Sequence, residues 1–395
     1  MHIRTLSARR RRRAQRPVQP LLWSDDLNAS KALYLGQPWG TPPQHLVDIA
    51  KVESLSSPQL GGVIMSSREA GPTLEQLVKE HLPRLRLHPL SQRAIPRLAK
   101  DTQSLRAIEK AVREVPTRHH VRLGDARDLS QLDDRSVHLI VTSPPYFDLK
   151  KYIDHESQLG ALHDYDVFLK ELDRVWSECH RVLIEGGRLI VVVGDVCRSR
   201  RAFGEHMVLP LHGSIAEHCR HIGFNNLATM VWHKISNAAF EVENGTAFLG
   251  KPYEPNAVIK NDLEYILMQR KPGGYRRPTE AMRVLSVIAA TSHKKWFNQI
   301  VTVRGASTRQ HPAPYPVELV EPLIRMFSFV GDTVLDPFAG TGTTSMAAAR
   351  CGRNSVGIEI EPVYHHLAVR KLSEYVEAQR LPATVNVGEI HASMV

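Results

Sequence analysis

Two short segments hold residue types that can do chemistry together: TSPPY at residues 142–146 and DPFAGTGTT at residues 336–344. In the first, consecutive prolines fix φ and remove backbone donors, so the turn displays rigid carbonyl oxygens beside a serine hydroxyl and a tyrosine ring. The second has the composition of a strand end, a glycine turn and a helix start, where the backbone can approach a ligand closely. The pair predicts a site that holds a flat, amine-bearing ring against a nucleotide-like cofactor. Either segment alone also suits an ordinary loop.

The segments around these motifs alternate between strand and helix patterns. Apolar runs at residues 137–142 and 188–194 are typical of buried parallel strands, and between them lies an apolar helical face that Gly186 and Gly187 are expected to end. Later elements are predicted as strands at 228–233, 264–268, 333–336 and 355–359 and helices at 316–327 and 343–350. The alternation predicts an α/β fold with a doubly wound, mostly parallel sheet.

The second motif has the features of a ligand-binding turn in such a sheet, where ligands bind beyond the carboxyl ends of the strands. Asp336 ends a predicted strand, and Gly340 and Gly342 permit a tight turn beside a ligand. The acid at the next strand end, Glu359, is suited to accept hydrogen bonds from ribose hydroxyls. No lysine follows the glycines, so the segment is not a Walker A phosphate loop.

The combined motifs resemble those of the DNA amino-methyltransferases. DPFAGTGTT is similar to the S-adenosylmethionine-binding motif of that family, and residues 357–372 (GIEIEPVYHHLAVRKL) resemble the segment that follows it. Residues 311–316 (HPAPYP) and 124–126 (GDA) resemble the segments that close over the methionine part and contact the adenine. The resemblance implies a Rossmann-like fold with a seven-stranded sheet and S-adenosylmethionine as the cofactor. The cofactor-binding residues it implies are Asp125, Asp336, Pro337, Phe338, Gly340, Gly342, Thr343, Thr344 and Glu359.

The chemistry of an exocyclic amine explains the first motif. The lone pair of such an amine is conjugated into the ring, and acceptors aimed at its two N–H groups assist it as it becomes tetrahedral. Ser143 can supply one acceptor through its hydroxyl, and Pro144 another through its carbonyl. Tyr146 offers a ring face to a base extruded from the duplex. The predicted catalytic turn is Ser143, Pro144, Pro145 and Tyr146.

A second aromatic wall is predicted on a later strand. Residues 230–234 (MVWHK) resemble the base-pocket strand of the family, which implies that Trp232 lies opposite Tyr146. The alternative is that Trp232 belongs to the core, as most tryptophans on apolar strands do.

The order of the motifs, with TSPPY before the cofactor loop, resembles the class of amino-methyltransferases called β. Serine in the first motif, here Ser143, is typical of enzymes that act on cytosine N4, whereas most adenine N6 enzymes carry aspartate there. The resemblance therefore implies methylation of cytosine N4 in double-stranded DNA, by direct transfer without a covalent enzyme intermediate. Adenine N6 is the first alternative, and RNA methylation and a non-catalytic DNA-binding role are the others. A C5-cytosine mechanism is disfavoured because the chain has no Pro-Cys pair.

Positive charge is concentrated in two places. The chain has a net charge of +10; residues 1–20 carry seven arginines and no acid, and residues 270–310 carry nine basic residues and one acid. Local charge of this kind suits a protein that grips a polyanion. In the β order, residues 270–310 take the place of the target-recognition region. For the N-terminal stretch the alternatives are a solvated disordered arm, a wrongly assigned start codon or an organelle transit peptide. For residues 270–310 the alternative is a solvated charged face.

Composition and pattern divide the chain into five predicted parts. These are a basic, largely irregular tail (1–70), a helical extension (71–116), a catalytic half (117–269), a target-recognition insertion (270–310) and a cofactor-binding half (311–395). The recognition sequence and the oligomeric state cannot be read from the sequence.

The resemblance implies a cytoplasmic protein of a prokaryote, associated with the nucleoid, and the remaining features favour a reduced cytosolic setting. No apolar run reaches the roughly 20 residues of a membrane helix, and the four cysteines form no CxxC pair. No metal is expected, because the clustered histidines lack a ligand pattern: His206, His212, His218 and His221. A cognate restriction endonuclease is a candidate partner.

Overall fold

The structure is a computed structural model that describes residues 71–147, 158–198, 204–234, 262–306 and 315–389, together with residues 255 and 259. These residues belong to one compact unit, residues 62–395. The tail predicted at residues 1–70 and most of the HPAPYP segment lie outside the described residues. No helix in the described ranges is long and apolar enough to cross a membrane.

Helices and strands alternate along most of the described chain. The helices are α1 (Leu74–His81), α2 (Ala94–Leu98), α3 (Thr102–Arg113), α4 (Tyr165–Val182), α5 (Leu211–Ile222), α6 (Glu280–Leu285), α7 (Ala290–Trp296), α8 (Val317–Phe327), α9 (Thr343–Arg350) and α10 (Pro362–Ala378). The strands are β1 (Thr117–Leu123), β2 (Val137–Thr142), β3 (Leu183–Val193), β4 (Val196–Arg198), β5 (Met207–Leu209), β6 (Asn225–Asn226), β7 (Met230–Lys234), β8 (Leu263–Arg270), β9 (Ile300–Val303), β10 (Thr333–Asp336), β11 (Asn354–Glu359) and β12 (Ala383–Glu389).

Ten of these strands form one sheet, in the order β12-β1-β11-β10-β2-β3-β8-β7-β9, with β6 beside β8. Strand β8 is antiparallel to its neighbours, and the other pairs along the main path are parallel. The predicted doubly wound, mostly parallel α/β fold is therefore confirmed. Seven contiguous strands, from β1 to β7 in this order, make up the expected sheet. Strands β12 and β9 extend the sheet at its two edges, and β6 pairs with the end of β8 beyond β7, which brings the total to ten.

Helices cover both faces of the sheet. Alternate residues of β3 divide between two apolar clusters: Leu189, Val191 and Val193 pack with α4 and α5, whereas Ile190 and Val192 pack with α8 and α9. A strand buried on both faces has to be apolar throughout, which explains the uninterrupted apolar runs of β2 and β3. The two predicted aromatic walls, Tyr146 and Trp232, lie on different faces of the sheet.

Gly186 and Gly187 were expected to end α4, but they do not. Helix α4 ends at Val182 and β3 begins at the next residue, so Gly186 and Gly187 lie inside the strand. Gly186 has φ +73°, and a Cβ there would lie 2.4 Å from the carbonyl oxygen of Gly274. The pairing of β2 with β3 shifts register at this point, so the glycines accommodate an irregularity in the strand.

Most of the basic segment predicted as an insertion lies along the amino-terminal edge of the parallel strands. Lys271 donates to the carbonyls of His180 and Leu183, where α4 meets the start of β3. Arg276 pairs with Asp332, immediately before β10. Helix α6 joins α1 and α3 in a third apolar cluster below this edge. Strand β9 then carries the chain back toward the carboxyl edge, about 15–20 Å away.

Candidate active site

The two motifs of the sequence meet at the carboxyl edge of the sheet. Strands β10 and β2 are parallel neighbours, with Val334 opposite Leu139, so their carboxyl ends lie side by side. Thr142 Oγ1 donates to Asp336 Oδ1 at 2.7 Å. A hydrogen bond therefore joins the end of the strand that precedes Ser143 to the start of the glycine loop.

Asp336 organises the glycine loop from behind. Besides the bond from Thr142, its carboxylate accepts from Thr344 Oγ1 at 2.6 Å, from Tyr315 OH at 2.7 Å and from the backbone N–H of Phe338 at 3.1 Å. Burial raises the pKa of this carboxyl, and the donors offset part of that by stabilising its charged form. Asp336 and Thr344, both predicted to bind the cofactor, are thus occupied with holding the loop.

A cleft opens at this edge of the sheet. The predicted site residues on its wall are Asp125, Ser143, Pro145, Pro337, Phe338, Gly340 and Glu359. The predicted site residues that do not line it are Pro144, Tyr146, Trp232, Asp336, Gly342, Thr343 and Thr344. The structure therefore brings part of the reacting turn and the core of the proposed cofactor set to one cavity.

Glu359 lies on the cleft wall with both oxygens fixed by the backbone. Its Oε2 accepts from the N–H of Gly340 at 2.8 Å, and its Oε1 accepts from the N–H of Glu361 at 2.9 Å. The side chain is almost fully buried, and burial raises its pKa to about 7 despite these donors. At neutral pH this acid is divided between its charged and neutral forms.

Asp125 faces the cleft with an arginine on its other side. Arg127 Nε lies 3.0 Å from both carboxylate oxygens of Asp125, and the backbone N–H of Arg127 donates to Oδ1 at 2.9 Å. Arg127 also contacts Glu171 of α4 at 2.5 Å. The ion pairs fix the direction of the Asp125 carboxylate while leaving the residue on the wall.

The two glycines of the loop have different reasons to be glycine. Both have positive φ, +51° at Gly340 and +81° at Gly342. Gly340 lines the cleft, so the lack of a side chain keeps the cavity open. Gly342 lies at the N-terminus of α9 against α10, where a Cβ would come within 3.2 Å of the Cβ of Ala368. Its constraint is helix packing.

The predicted catalytic turn, residues 143–146, is more enclosed than the sequence suggested. Ser143 Oγ donates to Tyr146 OH at 3.2 Å. The tyrosine is only 6% exposed and packs in the cluster beneath α4, and a Cβ on Gly194 would lie 3.5 Å from its Cε2. Tyr146 therefore does not present an open ring face in this conformation.

Trp232 does not lie opposite Tyr146, contrary to the expectation. It is 1% exposed and belongs to the apolar cluster on the other face of the sheet, under α8. Its Nε1 donates to the carbonyl of Val303 at 2.8 Å, which satisfies the indole within the sheet. Here the alternative of a core tryptophan is the one the structure supports.

Comparison with known proteins identifies the fold family. A family model for DNA methylases of the N6/N4 type matches residues 137–370, more than half of the chain. The chain belongs to this family of DNA methylases. The methylase is 34% identical over 304 residues to the type II methyltransferase M.MjaI of Methanocaldococcus jannaschii, an alignment that covers 69% of this chain and 97% of that one. It is 28% identical over 264 residues to the DNA adenine methyltransferase YhdJ of Escherichia coli, covering 63% and 81%.

A solved structure resembles the methylase as well. TTHA0409 of Thermus thermophilus, a candidate DNA modification methylase crystallised with S-adenosyl-L-methionine, is 45% identical, with a TM-score of 0.57. The match covers 70% of this chain and all of that one. The family resemblance and the fold predicted from the sequence are therefore confirmed.

Several residues on the cleft wall of the methylase were not named as site residues in the sequence analysis, although five of the eight lie in the quoted segments 124–126 and 357–372. The unpredicted wall residues are Gly124, Ala126, Gln158, Leu159, Gly160, Ile358, Ile360 and Tyr364. Residues 158–160 follow a segment with no motif, so only the three-dimensional fold places them there. Arg127 lies two residues after the predicted Asp125, and this spacing is the one feature of the sequence that could have indicated their ion pair.

The histidines that were considered as metal ligands do not converge. His212 pairs with Asp195, His218 pairs with Asp173, and His221 lies near Glu217. Among the described residues, the grouping with metal-like spacing is Glu80, His81 and Glu114, which involves none of these histidines. His212 and His218 each pair with a different carboxylate and do not share a ligand site.

Proposed function

We propose that the methylase transfers a methyl group from S-adenosylmethionine to the exocyclic N4 of cytosine in double-stranded DNA. The observation that carries the proposal is the meeting of the two motifs. Thr142 donates a hydrogen bond to Asp336, and Ser143 lines the same cleft as Phe338, Gly340 and Glu359. A methyl donor in that cleft lies next to the turn that handles the amine.

The donor groups on the cleft wall fit S-adenosylmethionine. Glu359 accepts hydrogen bonds from the ribose hydroxyls, and Asp125 accepts from the amino group of the adenine. Phe338 contributes apolar surface, and its ring is held by an edge-on contact with Trp176 at 6.3 Å. When bound, this cofactor supplies a methyl group on a positively charged sulfur.

Ser143 and Pro144 then prepare the target amine. Ser143 gives its hydroxyl hydrogen to Tyr146, so its oxygen lone pairs remain to accept an N–H of the amine. The carbonyl of Pro144 accepts the other, and Pro145 holds the turn rigid. Two fixed acceptors favour the tetrahedral amine that develops in the transition state.

The choice between cytosine and adenine rests on one position. Ser143 takes the place where most adenine N6 enzymes of the resembling class carry aspartate, which supports cytosine N4. Adenine N6 is the second candidate, because YhdJ is named as a DNA adenine methyltransferase.

Nucleoside analysis separates the two candidates. The protein is expressed in a host without DNA methylation, and genomic DNA is digested and analysed by mass spectrometry. We expect 4-methylcytosine with the wild type and a loss of about 100-fold or more with Ser143→Ala. The appearance of 6-methyladenine alone would establish the second candidate. Methyl transfer to RNA in preference to DNA would rule out both.

We also infer that the protein works in the cytoplasm at the nucleoid, where its DNA substrate is. The type II name of M.MjaI supports a search for a cognate restriction endonuclease as partner. Single-molecule sequencing of the genome of the expression host maps the modified bases and so gives the recognition sequence.

A further inference from the structure

Three side chains outside the cleft form a compact group near the reacting turn. Asp195 Oδ1 accepts from Nδ1 of His212 at 2.6 Å and from the backbone N–H of His212 at 3.2 Å. The His212 ring lies flat on Tyr265, with centroids 3.7 Å apart and planes 12° from parallel. The carboxylate fixes the tautomer that carries hydrogen on Nδ1, so Nε2 is directed away from Asp195.

The strand order puts this group on the far side of Ser143 from the cofactor cleft. The cleft lies at the ends of β1, β11, β10 and β2. The next strands along the same edge are β3, which Asp195 follows, and β8, which carries Tyr265 opposite Val193. Gly194 links the group to the turn, because a Cβ there would lie 3.5 Å from Tyr146.

The group also lies on the correct face of the sheet. Tyr265 packs against the cluster that contains Tyr146, α4 and α5, and His212 is in the first turn of α5. In an in-line transfer the amine approaches the methyl group from the side opposite the donor. A target base that reaches Ser143 from that side passes over β3 and β8.

An extruded base needs a flat surface to replace the stacking it loses in the duplex. Neither predicted aromatic supplies one, because Tyr146 is 6% exposed and Trp232 is 1% exposed. The His212 side chain retains 29% of its exposure, and Tyr265 is partly exposed. This stacked pair is a partly exposed aromatic surface on the same face of the sheet as the turn.

We propose that His212, stacked on Tyr265 and held by Asp195, forms a wall of the site for the target nucleotide and contacts the ring of the extruded base. The inference rests on the proposed DNA methylation. It gives His212 a base-binding role that Trp232 was expected to fill.

Steady-state methylation by purified full-length protein tests this, with tritiated S-adenosylmethionine and unmethylated genomic DNA as substrates. His212→Ala removes the ring, whereas His212→Phe keeps a flat ring on Tyr265. His218→Ala is the matched control, because His218 is on the same helix and pairs with Asp173 at 2.9 Å on the side facing α4. Cofactor affinity and melting temperature are measured for every variant.

We expect His212→Ala to lower kcat/KM for DNA by about tenfold or more, since base stacking on a single aromatic ring has that effect. His212→Phe retains most of the activity, His218→Ala stays within about twofold of the wild type, and cofactor affinity is unchanged throughout. The proposal is overturned if His212→Ala matches the wild type, or if His212→Phe is as impaired as His212→Ala. A fall in cofactor affinity with His212→Ala also overturns it, since the residue would then act through the fold. A wild type that methylates no DNA would refute the proposed function itself.

Discussion

Glu359 accepts hydrogen bonds although its side chain is almost fully buried. The two backbone donors and the cavity wall are arranged for a carboxylate, yet burial raises its pKa to about 7. Because the raised pKa favours the neutral acid below pH 7, the fraction able to act as a charged acceptor grows as pH rises through that value.

We therefore expect cofactor affinity to increase about tenfold between pH 6 and pH 8 in the wild type, since the charged fraction of Glu359 rises by about that factor. Calorimetric titration with S-adenosylmethionine at several pH values measures it. Glu359→Gln is the control, because it keeps the shape and cannot ionise. Its affinity should be lower at pH 8 and should follow only the titration of the ligand itself. An equal pH dependence in both proteins would show that Glu359 does not hold the ribose.

At the scale of elements, the glycine loop depends on how α9 packs against α10. Gly342 combines a positive φ with close contact to Ala368, so a side chain there strains the backbone and pushes the helices apart. The start of α9 carries Thr344, which holds Asp336, so the disturbance reaches the cleft.

Gly342→Ala is expected to destabilise the protein by about 1–3 kcal/mol, from the left-handed conformation and the displaced helix. Urea unfolding followed by circular dichroism gives the change in free energy. Gly213→Ala is the comparison, because Gly213 lies in α5 with nothing within 4 Å of the added Cβ. It should raise stability by about 0.5–1 kcal/mol. Similar effects at both positions would argue against the packing account.

The basic segment, residues 270–310, reaches both edges of the sheet. Lys294 and Lys295 belong to α7, whose end contacts α8 through Arg325 on Trp296 and Phe297 near Phe327. That contact lies at the amino edge, opposite the cleft. Arg304 directly follows β9 and lies at the carboxyl edge, the edge to which the proposed function assigns the DNA.

We expect Lys294→Ala combined with Lys295→Ala to leave DNA affinity within about twofold of the wild type. Arg304→Ala should weaken binding and reduce the slope of log affinity against log salt by about 0.9, as loss of one phosphate contact does. Fluorescence anisotropy with labelled duplex DNA over a salt series measures both. The opposite ranking would return the predicted recognition role to α7.

At the scale of the whole molecule, the sequence was most informative where local pattern and fold agree. The strand endings at Thr142, Asp336 and Glu359 were predicted correctly because buried parallel strands have uninterrupted apolar runs, and the sheet then places their ends together. The domain boundaries stay predictions. The spacing of apolar residues indicated which strands exist, and the parallel pairing of those strands brought their carboxyl ends to one edge of the sheet.

Side-chain direction was harder to predict. Trp232 and Tyr146 were expected to face each other, but successive residues of a strand point to opposite faces of the sheet. Both faces of this sheet are buried under helices, so apolar character alone does not show which face a side chain takes. His212 and Tyr265 gave no signal because their stacking joins a helix to a strand that lies far along the chain from it. The position of α6 likewise depends on contacts with α1 and α3, which no local pattern reveals.

The order of strands in the sheet also constrains how the protein can be made. Strands β1 and β2 are consecutive in the chain, yet β11 and β10 lie between them. While the polypeptide is being translated, the facing edge of β2 has no partner until β10 is complete at residue 336, and the facing edge of β1 has none until β11 is complete at residue 359. A nascent chain therefore carries the complete reacting turn long before it can form the central sheet, and during that interval its exposed strand edges are a target for chaperones and a risk for aggregation.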